Sequence, residues 1–442
     1  MDCVNQELDN KIAKIASQDN VYETGKVVRV RDYIIEVKGL ENIGFFEQVT
    51  IEDKAIGYVM EILYNTVIIA ILKEYDKINV GDIVYGTGEE FKSYVSDFYI
   101  GKIVDIFGVD KLVGKTFDNL IKIKVENSNI SLMDRISVKR PLLTGVTGID
   151  LIYPIGKGQR QLIIGDKKTG KTQLTLDIIV NQNGKEVICI YVAIGKTKKE
   201  VKEIYSELYR RGALKYTIIL VAFNDEKPTV LSLTPNVALS IAEHYLKFKY
   251  DVLVVIDDLK RHADAYREIS LISGKNPGRD AYPSDIFYTH ARMLEKGCQH
   301  KNGGSITIIP VVETKAGDIT DYISTNIISI TDGQLVLSAK NFNKGEKPAI
   351  DYGLSVSRLG GAVQEESMKK LGAVVRRELL SYMEKRDVYD LANIDEMGIE
   401  LKSKIENGKK ILNNLIQYKY SPKTKEEIID SFSFINEEEK WE

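Results

Sequence analysis

The chain has 442 residues, and its 61 lysine and arginine residues nearly balance 64 aspartate and glutamate residues, which leaves a formal net charge of −3. This length predicts about two to four domains, and the charge balance excludes the basic field that non-specific nucleic-acid binding requires. The three cysteines and four histidines are too scattered for a disulfide framework or a metal site, and the apolar runs are too short for a membrane span.

The first 87 residues contain two patterns. The N-terminal stretch MDCVNQELDN is polar and acidic, unlike a secretory signal, so we expect a cytoplasmic protein. The run QELDNKIAKIA, within residues 1–20, predicts a short amphipathic helix. Residues 21–87 are β-branched and alternate in short runs between Gly and Asn turns, which predicts a small antiparallel β-barrel.

Strand-like runs alternate with helical patterns from residue 88 to residue 365. In chain order these runs are QLIIG, EVICIYVAIG, YTIILVAF, DVLVVIDDL, GSITIIPVVET and IISITDGQLVL. Such alternation predicts a mostly parallel sheet with helices on both faces. Residues 366–442 are helical in pattern and begin with ESMKKLGAVVRRELLSYMEKRD. The predicted fold class is multidomain α/β: an N-terminal β-barrel, a central domain built on a mostly parallel sheet, and a C-terminal helical domain.

The segment GDKKTGKT, residues 165–172, has the pattern of a phosphate-binding P-loop and lies between a strand-like and a helix-like run. Gly165 and Gly170 let backbone N–H groups point at phosphate oxygens, Lys171 reaches the β- and γ-phosphates, and Thr172 offers a hydroxyl to Mg²⁺. The helix that begins at Lys171 adds its positive end. A chance match in a glycine-rich turn is the alternative, and the flanking strand and helix argue against it. The predicted contacts to ATP or ADP are Gly165, Asp166, Lys167, Lys168, Thr169, Gly170, Lys171 and Thr172.

The run DVLVVIDDL ends in Asp257 and Asp258, and a P-loop needs an acid for Mg²⁺ at the end of another parallel strand. We predict that Asp257 binds the metal through water. Hydrolysis also needs a group that accepts a proton from water or orients it, which an ammonium cannot do. The residue after EVICIYVAIG is Lys196, so the loop is predicted to bind nucleotide without cleaving it; Asp258 is the second candidate for a base.

Five longer segments resemble the α subunit of F-type rotary ATP synthases. They are residues 147–172, 191–196, 277–296, 311–337 and 353–364. The resemblance runs in order from about residue 21 to residue 422 and implies a central RecA-like domain. It implies a non-catalytic subunit that binds Mg-ATP and alternates with a catalytic β-type subunit in a six-membered ring. It further implies a γ-type central shaft, a membrane sector or other anchoring subunits, and a peripheral position at the cytoplasmic face of the cell membrane.

The resemblance also assigns roles to residues outside the P-loop. Arg358, in SVSRLGG, matches the arginine that the α subunit projects into the neighbouring β site, where a planar cation stabilises charge on the transferred phosphoryl group. From residue type alone, a structural salt bridge would be the expectation. Ser329 matches a residue of the same interface, and residues 276–285 match the loop around the central shaft. Lys196, a predicted nucleotide contact, stands where the catalytic subunit has glutamate and the α subunit has glutamine.

The sequence departs from the family pattern in two respects. Lys168 and Lys196 replace glutamines and add positive charge near the γ-phosphate, which favours ATP binding. The chain ends about twenty residues after the family motif at 419–422, and its N-terminal helix is short. We therefore expect the ring to be kept, with the option that a derived assembly uses it for a task other than ATP synthesis.

Two other classes of protein share parts of these motifs. The first is a self-sufficient hexameric ATPase, such as a transcription-terminating helicase or a protein-export ATPase. A helicase should show stacking aromatics on a basic chain, whereas Phe45 and Phe46 form a weak pair on an acidic one; an export ATPase should have glutamate in place of Lys196. The second is a purely structural ring member with a vestigial loop, against which the intact Lys171, Thr172 and Asp257 argue.

Overall fold

A computed structural model describes residues 23–125, 130–389 and 399–438. The predicted helix in residues 1–20 lies outside these ranges. Within residues 23–90, six antiparallel strands close into a barrel in the order β1-β2-β5-β4-β3-β6. The strands are β1 Glu23–Arg31, β2 Ile34–Lys38, β3 Glu47–Ile51, β4 Ala55–Ile62, β5 Val67–Glu74 and β6 Ile83–Glu90. Burial along β3 alternates as the period of two requires, and the predicted barrel is confirmed.

Short strands lead from the barrel into the central domain. They are β7 Lys92–Val95, β8 Ile103–Val104, β9 Val109–Asp110, β10 Lys115–Thr116, β11 Ile121–Lys124 and β12 Arg135–Ile136. β7 pairs with β11 in a separate ribbon, whereas β8, β9 and β10 extend one edge of the main sheet.

The central sheet runs in the order β10-β9-β8-β15-β14-β16-β18-β13-β19-β20. Its remaining strands are β13 Leu162–Asp166, β14 Val187–Lys196, β15 Thr217–Phe223, β16 Asp251–Asp257, β17 Cys298–His300, β18 Ser305–Thr314, β19 Gly333–Leu337 and β20 Val356–Ser357. Every pairing from β8 through β19 along this order is parallel. The predicted mostly parallel sheet is therefore confirmed. In its described part the antiparallel strands are β9, β10 and β20 at the margins, and β17, which pairs with β12 and with the start of the central strand β18.

Helices cover both faces of this sheet. They are α1 Thr147–Ile152, α2 Lys171–Val180, α3 Lys198–Arg210, α4 Pro228–Lys247, α5 Leu259–Ile272, α6 Ile286–Leu294, α7 Tyr322–Ile330 and α8 Ala339–Asn343. Alternate residues of β14 belong to two different hydrophobic clusters. Ile190 lies in the cluster that contains the α4 side chains, and Tyr191 in the cluster that contains those of α2 and α3. A strand buried on both faces reads as a continuous apolar run, which is why β14 was visible in the sequence.

One strand prediction was wrong in its first half. The run IISITDGQLVL was read as a strand from residue 327, but Ile327 to Ile330 form the last turn of α7 and only Gly333–Leu337 is a strand. The Asp321 side chain accepts the Ser324 N–H and starts the helix. Ile323 and Ile327, one turn apart, are fully buried, so burial of a helix face outweighs the β-branched preference for strands.

The C-terminal part is helical, as predicted. Its helices are α9 Glu366–Tyr389, α10 Ile399–Leu415, α11 Lys425–Ser431 and α12 Ser433–Glu438. Leu379, Ile411 and Phe432 are buried in the same hydrophobic cluster as the side chains of α1 and α2. In the described ranges no helix has the length and apolar character needed to cross a bilayer. The domain boundaries at 87/88 and 365/366 stay predictions.

Candidate nucleotide site

The predicted P-loop joins the end of β13 to the start of α2 at the carboxyl edge of the sheet. Lys168 has φ 66° and Gly170 has φ 93°, so the backbone turns twice through the left-handed region. Gly170 enters this region without the Cβ penalty. The side chains of Lys167 and Lys168 are exposed on the outside of the turn. The backbone therefore has the curled form that aims N–H groups at a bound anion.

Lys171 folds back across the loop. Its Nζ donates hydrogen bonds to the carbonyl oxygens of Gly165 at 2.9 Å and Asp166 at 2.6 Å. The side chain is buried, and burial lowers the pKa of its ammonium. Within the described residues the hydrogen bonds of this buried ammonium go to neutral carbonyl oxygens, and a phosphate oxygen would be a stronger acceptor.

Hydrogen bonds of the Asp166 and Thr169 side chains hold the P-loop in its conformation. The Asp166 carboxylate accepts hydrogen bonds from the Thr314 hydroxyl at 2.7 Å and the Gly317 N–H at 2.8 Å, beside the neighbouring strand β18. The Thr169 hydroxyl donates to the Asp166 carbonyl oxygen at 2.8 Å and closes the turn. Both predicted contact residues thus use their side chains to shape the loop, and the Thr169 N–H also donates to the Asp166 carbonyl oxygen, at 3.3 Å.

Asp257, the last residue of β16, is the centre of the polar network. Its Oδ2 accepts hydrogen bonds from the hydroxyls of Thr172 at 2.7 Å and Tyr191 at 2.6 Å. Lys196 Nζ lies 3.0 Å from the same atom, and Asp257 is 2 % exposed. Lys196 is the last residue of β14, not the first residue after it as predicted. Three predicted site residues, Thr172, Lys196 and Asp257, are therefore brought together.

Tyr191 was not predicted as a site residue. It is fully buried, and burial raises the pKa of its phenol well above the usual value. The signal in the sequence was a tyrosine inside the apolar run EVICIYVAIG, because a buried phenol needs a hydrogen-bond partner. Its distance to Asp257 could not be read from the sequence.

The residues present fit Mg²⁺ in their chemistry. A threonine hydroxyl and a carboxylate are oxygen donors of the kind that this ion takes, and Thr172 and Asp257 already share a hydrogen bond. Among the described residues, no group of three or more His, Cys, Asp or Glu side chains could hold a metal ion. A Mg²⁺ ion at Thr172 would thus need phosphate oxygens and water for its other ligands.

Two further carboxylates lie near the loop. Asp258 caps α5 by accepting the Lys260 N–H at 2.6 Å, and burial, followed by the charge of Asp257, raises the pKa of Asp258 to about 7. Glu313 of β18, which was not predicted as a site residue, is half-buried and lies opposite Gly165 of β13 in the parallel register of the two strands. A carboxylate at the end of a strand beside the P-loop strand was the signal that could have identified it.

Arg358 and Ser329 lie together at the opposite edge of the sheet. Arg358 is exposed, its Nη2 is 3.4 Å from the Ile328 carbonyl oxygen, and its N–H donates to the Asp332 carbonyl oxygen. Ser329, also exposed, is in the last turn of α7. Arg358 follows β20, which pairs with the start of β19, and β19 is parallel to the P-loop strand β13. The length of β19, about 13 Å at 3.3 Å per residue, therefore lies between Arg358 and the P-loop of the same chain.

Comparisons with known proteins agree with this geometry. Residues 145–357 match the family model described as ATP synthase alpha/beta family, nucleotide-binding domain. A protein of Mycoplasma pneumoniae named ATP synthase subunit alpha is 40% identical over 93% of this chain and 79% of its own length. Proteins of the same name from Pediococcus pentosaceus (42% identical; 95% of this chain, 82% of that protein) and Clostridium botulinum (39%; 97% and 86%) are also similar.

Proposed function

The chain belongs to the family of ATP synthase alpha subunits, and from this premise we propose that it is the non-catalytic, nucleotide-binding subunit of an F-type rotary ATPase ring. In this role it binds ATP or ADP at residues 165–172 and alternates with a catalytic β-type subunit in a hexamer. The ring couples hydrolysis or synthesis of ATP to rotation of a central shaft.

The observation that carries the non-catalytic role is the Lys196–Asp257 ion pair. Attack on the γ-phosphate needs a group that accepts a proton from water or orients it. At the end of β14 the side chain offered is an ammonium, 3.0 Å from the Asp257 carboxylate. Asp258, the other candidate base, caps α5 through its carboxylate. These contacts support binding without turnover.

Thr172 and Asp257 are the residues proposed to hold Mg²⁺, Thr172 through its hydroxyl and Asp257 through water. Bound Mg²⁺ would neutralise charge on the β- and γ-phosphates. Lys171 is then expected to leave the carbonyl oxygens of Gly165 and Asp166, since a phosphate oxygen is a stronger acceptor for an ammonium.

Arg358 is proposed to act on the neighbouring catalytic subunit. It lies at the opposite edge of the sheet from its own P-loop, it is exposed, and within the described residues its side-chain hydrogen bond is one long contact to Ile328. A planar guanidinium that is not committed to a carboxylate can stabilise the charge of phosphoryl transfer across an interface. Ser329, one residue after the Ile328 carbonyl, is proposed to line the same interface.

The remaining partners follow from the family. Residues 276–285 are proposed to surround a γ-type shaft; Arg279 and Asp280, at the tip of this loop, are exposed, and Asp280 has φ 53°. The ring is proposed to sit at the cytoplasmic face of the cell membrane, attached to a membrane sector or other anchoring subunits. A derived F-type assembly that drives a process other than ATP synthesis falls within the proposal.

The test is a paired measurement on the purified single chain: the amount of ATP bound and the rate of phosphate release. We expect binding close to one nucleotide per chain with turnover far below about 1–100 s⁻¹, the range that is typical of kinases. Turnover within that range, together with self-assembly into hexamers, would instead identify a self-sufficient ring ATPase of the export or helicase class. In that case the Lys196 ammonium would not prevent hydrolysis at this site.

A further inference from the structure

The position of Lys196 bears on the metal requirement of the nucleotide site. Lys196 Nζ and the Thr172 hydroxyl are both within hydrogen-bond distance of one oxygen atom, Asp257 Oδ2. The Lys196 side chain is 15% exposed and that of Asp257 3% exposed, so little solvent screens this charge. A fixed ammonium therefore stands beside the hydroxyl that would bind Mg²⁺.

This arrangement has two electrostatic consequences. The Thr172 hydroxyl and the Lys196 ammonium contact the same carboxylate oxygen, so a Mg²⁺ ion held by that hydroxyl would lie near a second cation and the two would repel each other. The same ammonium would attract the phosphate oxygens that Mg²⁺ normally neutralises. Lys171 and the N-terminus of α2 add further positive potential at this position.

We propose that Lys196 supplies part of the charge neutralisation that Mg²⁺ supplies at other P-loops, so that this chain binds metal-free ATP nearly as tightly as Mg-ATP. The inference rests on the proposed function, because it requires that residues 165–172 bind a nucleotide. The ligand it names is the uncomplexed triphosphate, whose terminal oxygens interact with Lys171 and Lys196 together.

A purely structural ion pair is the competing explanation. In that case Lys196 would join the ends of β14 and β16 and remain on Asp257 when nucleotide binds. Metal-free ATP would then bind much more weakly than Mg-ATP, as expected for a site that relies on the metal, and loss of the lysine would not change that difference.

The test is calorimetric titration of the full chain with ATP, once with excess Mg²⁺ and once with EDTA. We expect the two wild-type dissociation constants to agree within about threefold. Lys196→Gln should weaken metal-free binding by about 10- to 100-fold, the usual value of a hydrogen bond to a charged group, and change Mg-ATP binding much less. Lys198→Gln is the matched control, because Lys198 is largely exposed and pairs with Asp225 instead.

The outcomes separate the two proposals. Wild-type binding that requires Mg²⁺, or metal-free binding that survives in Lys196→Gln, overturns the inference and leaves the nucleotide site in place. Binding in neither condition overturns the inference and the proposed function together. The wild-type comparison needs no variant, so the inference can be overturned even if Lys196→Gln fails to fold.

Discussion

The Tyr191 hydroxyl donates a 2.6 Å hydrogen bond to Oδ2 of Asp257, and both residues are buried. The Asp257 carboxylate is thereby held by a neutral donor from the same strand that carries Lys196. This hydrogen bond positions the Asp257 carboxylate between α2 and the end of β14 in the absence of a ligand.

Tyr191→Phe should therefore destabilise the nucleotide domain. The variant keeps the ring but removes one hydrogen bond to a buried carboxylate, which is worth about 1.5–3 kcal/mol. Urea unfolding followed by fluorescence should show a lower midpoint than for wild type. Tyr209→Phe, at an exposed position of α3, should leave the midpoint unchanged; equal shifts in both variants would contradict the role of the Asp257 contact.

Asp258 makes the stability of this domain depend on pH. Its pKa is raised from 3.8 to about 7, so between these values the folded chain holds a proton that the unfolded chain releases. The stabilisation from this proton is complete below pH 4 and is lost as pH rises through about 7. Relative to Asp258→Asn, which is neutral and can still cap α5, wild type should lose about 2–4 kcal/mol of unfolding free energy across this window.

The comparison is made by urea unfolding of both proteins at several pH values from 4 to 8. Other buried carboxyls, such as Asp177, titrate in both proteins and cancel in the difference. A difference between the two proteins that stays constant with pH would show that Asp258 is ionised throughout.

Lys171→Ala should weaken nucleotide binding to this chain and leave the assembled ring intact. Its Nζ is the buried ammonium of the loop, and removal of a charge-assisted contact weakens binding by about 10-fold or more. Rings assembled with wild-type catalytic partner should keep most of their hydrolysis. Lys199→Ala, on the exposed face of α3, is the control. Loss of ring turnover with assembly intact would make this chain catalytic.

Arg358→Ala should give the opposite pattern in the same rings. Nucleotide binding to this chain should be unchanged, because Arg358 lies at the far edge of its sheet, whereas hydrolysis should fall by about 10³-fold. Arg358→Lys should rescue poorly, since an ammonium lacks the planar fork. Arg210→Ala removes an arginine from the surface of α3 and should have no effect. Near-normal turnover of the Arg358→Ala ring would leave only a structural role.

The sequence was most informative where local pattern and burial agree. Strands such as β14 and β16 are buried on both faces, so each reads as an apolar run, and the P-loop has a fixed spacing between such a strand and a helix. The prediction failed at Ile327 to Ile330, where the same apolar residues form the end of a helix, because Asp321 caps that helix and its apolar face is buried. Local pattern alone could not separate these cases.

Contacts between strands that are far apart in the chain could not be predicted from the sequence. Tyr191 and Asp257 are 66 positions apart, and only the parallel register of β14 with β16 brings their side chains together. The same applies to the anchoring of Asp166 by Thr314 and Gly317. Residue type showed that each polar group needed a partner, whereas the choice of partner is a property of the folded sheet.

The link from Asp166 to Gly317 has a mechanical consequence for the whole domain. From Gly317 the chain enters α7, which at about 1.5 Å per residue is roughly 13 Å long and ends beside Arg358. α7 thus connects the segment that is hydrogen-bonded to the phosphate loop with the edge of the sheet that carries Arg358. The mechanical path from the phosphate loop to Arg358 therefore consists of one hydrogen bond to Gly317, the short segment that follows it, one helix and the contact with the Ile328 carbonyl oxygen.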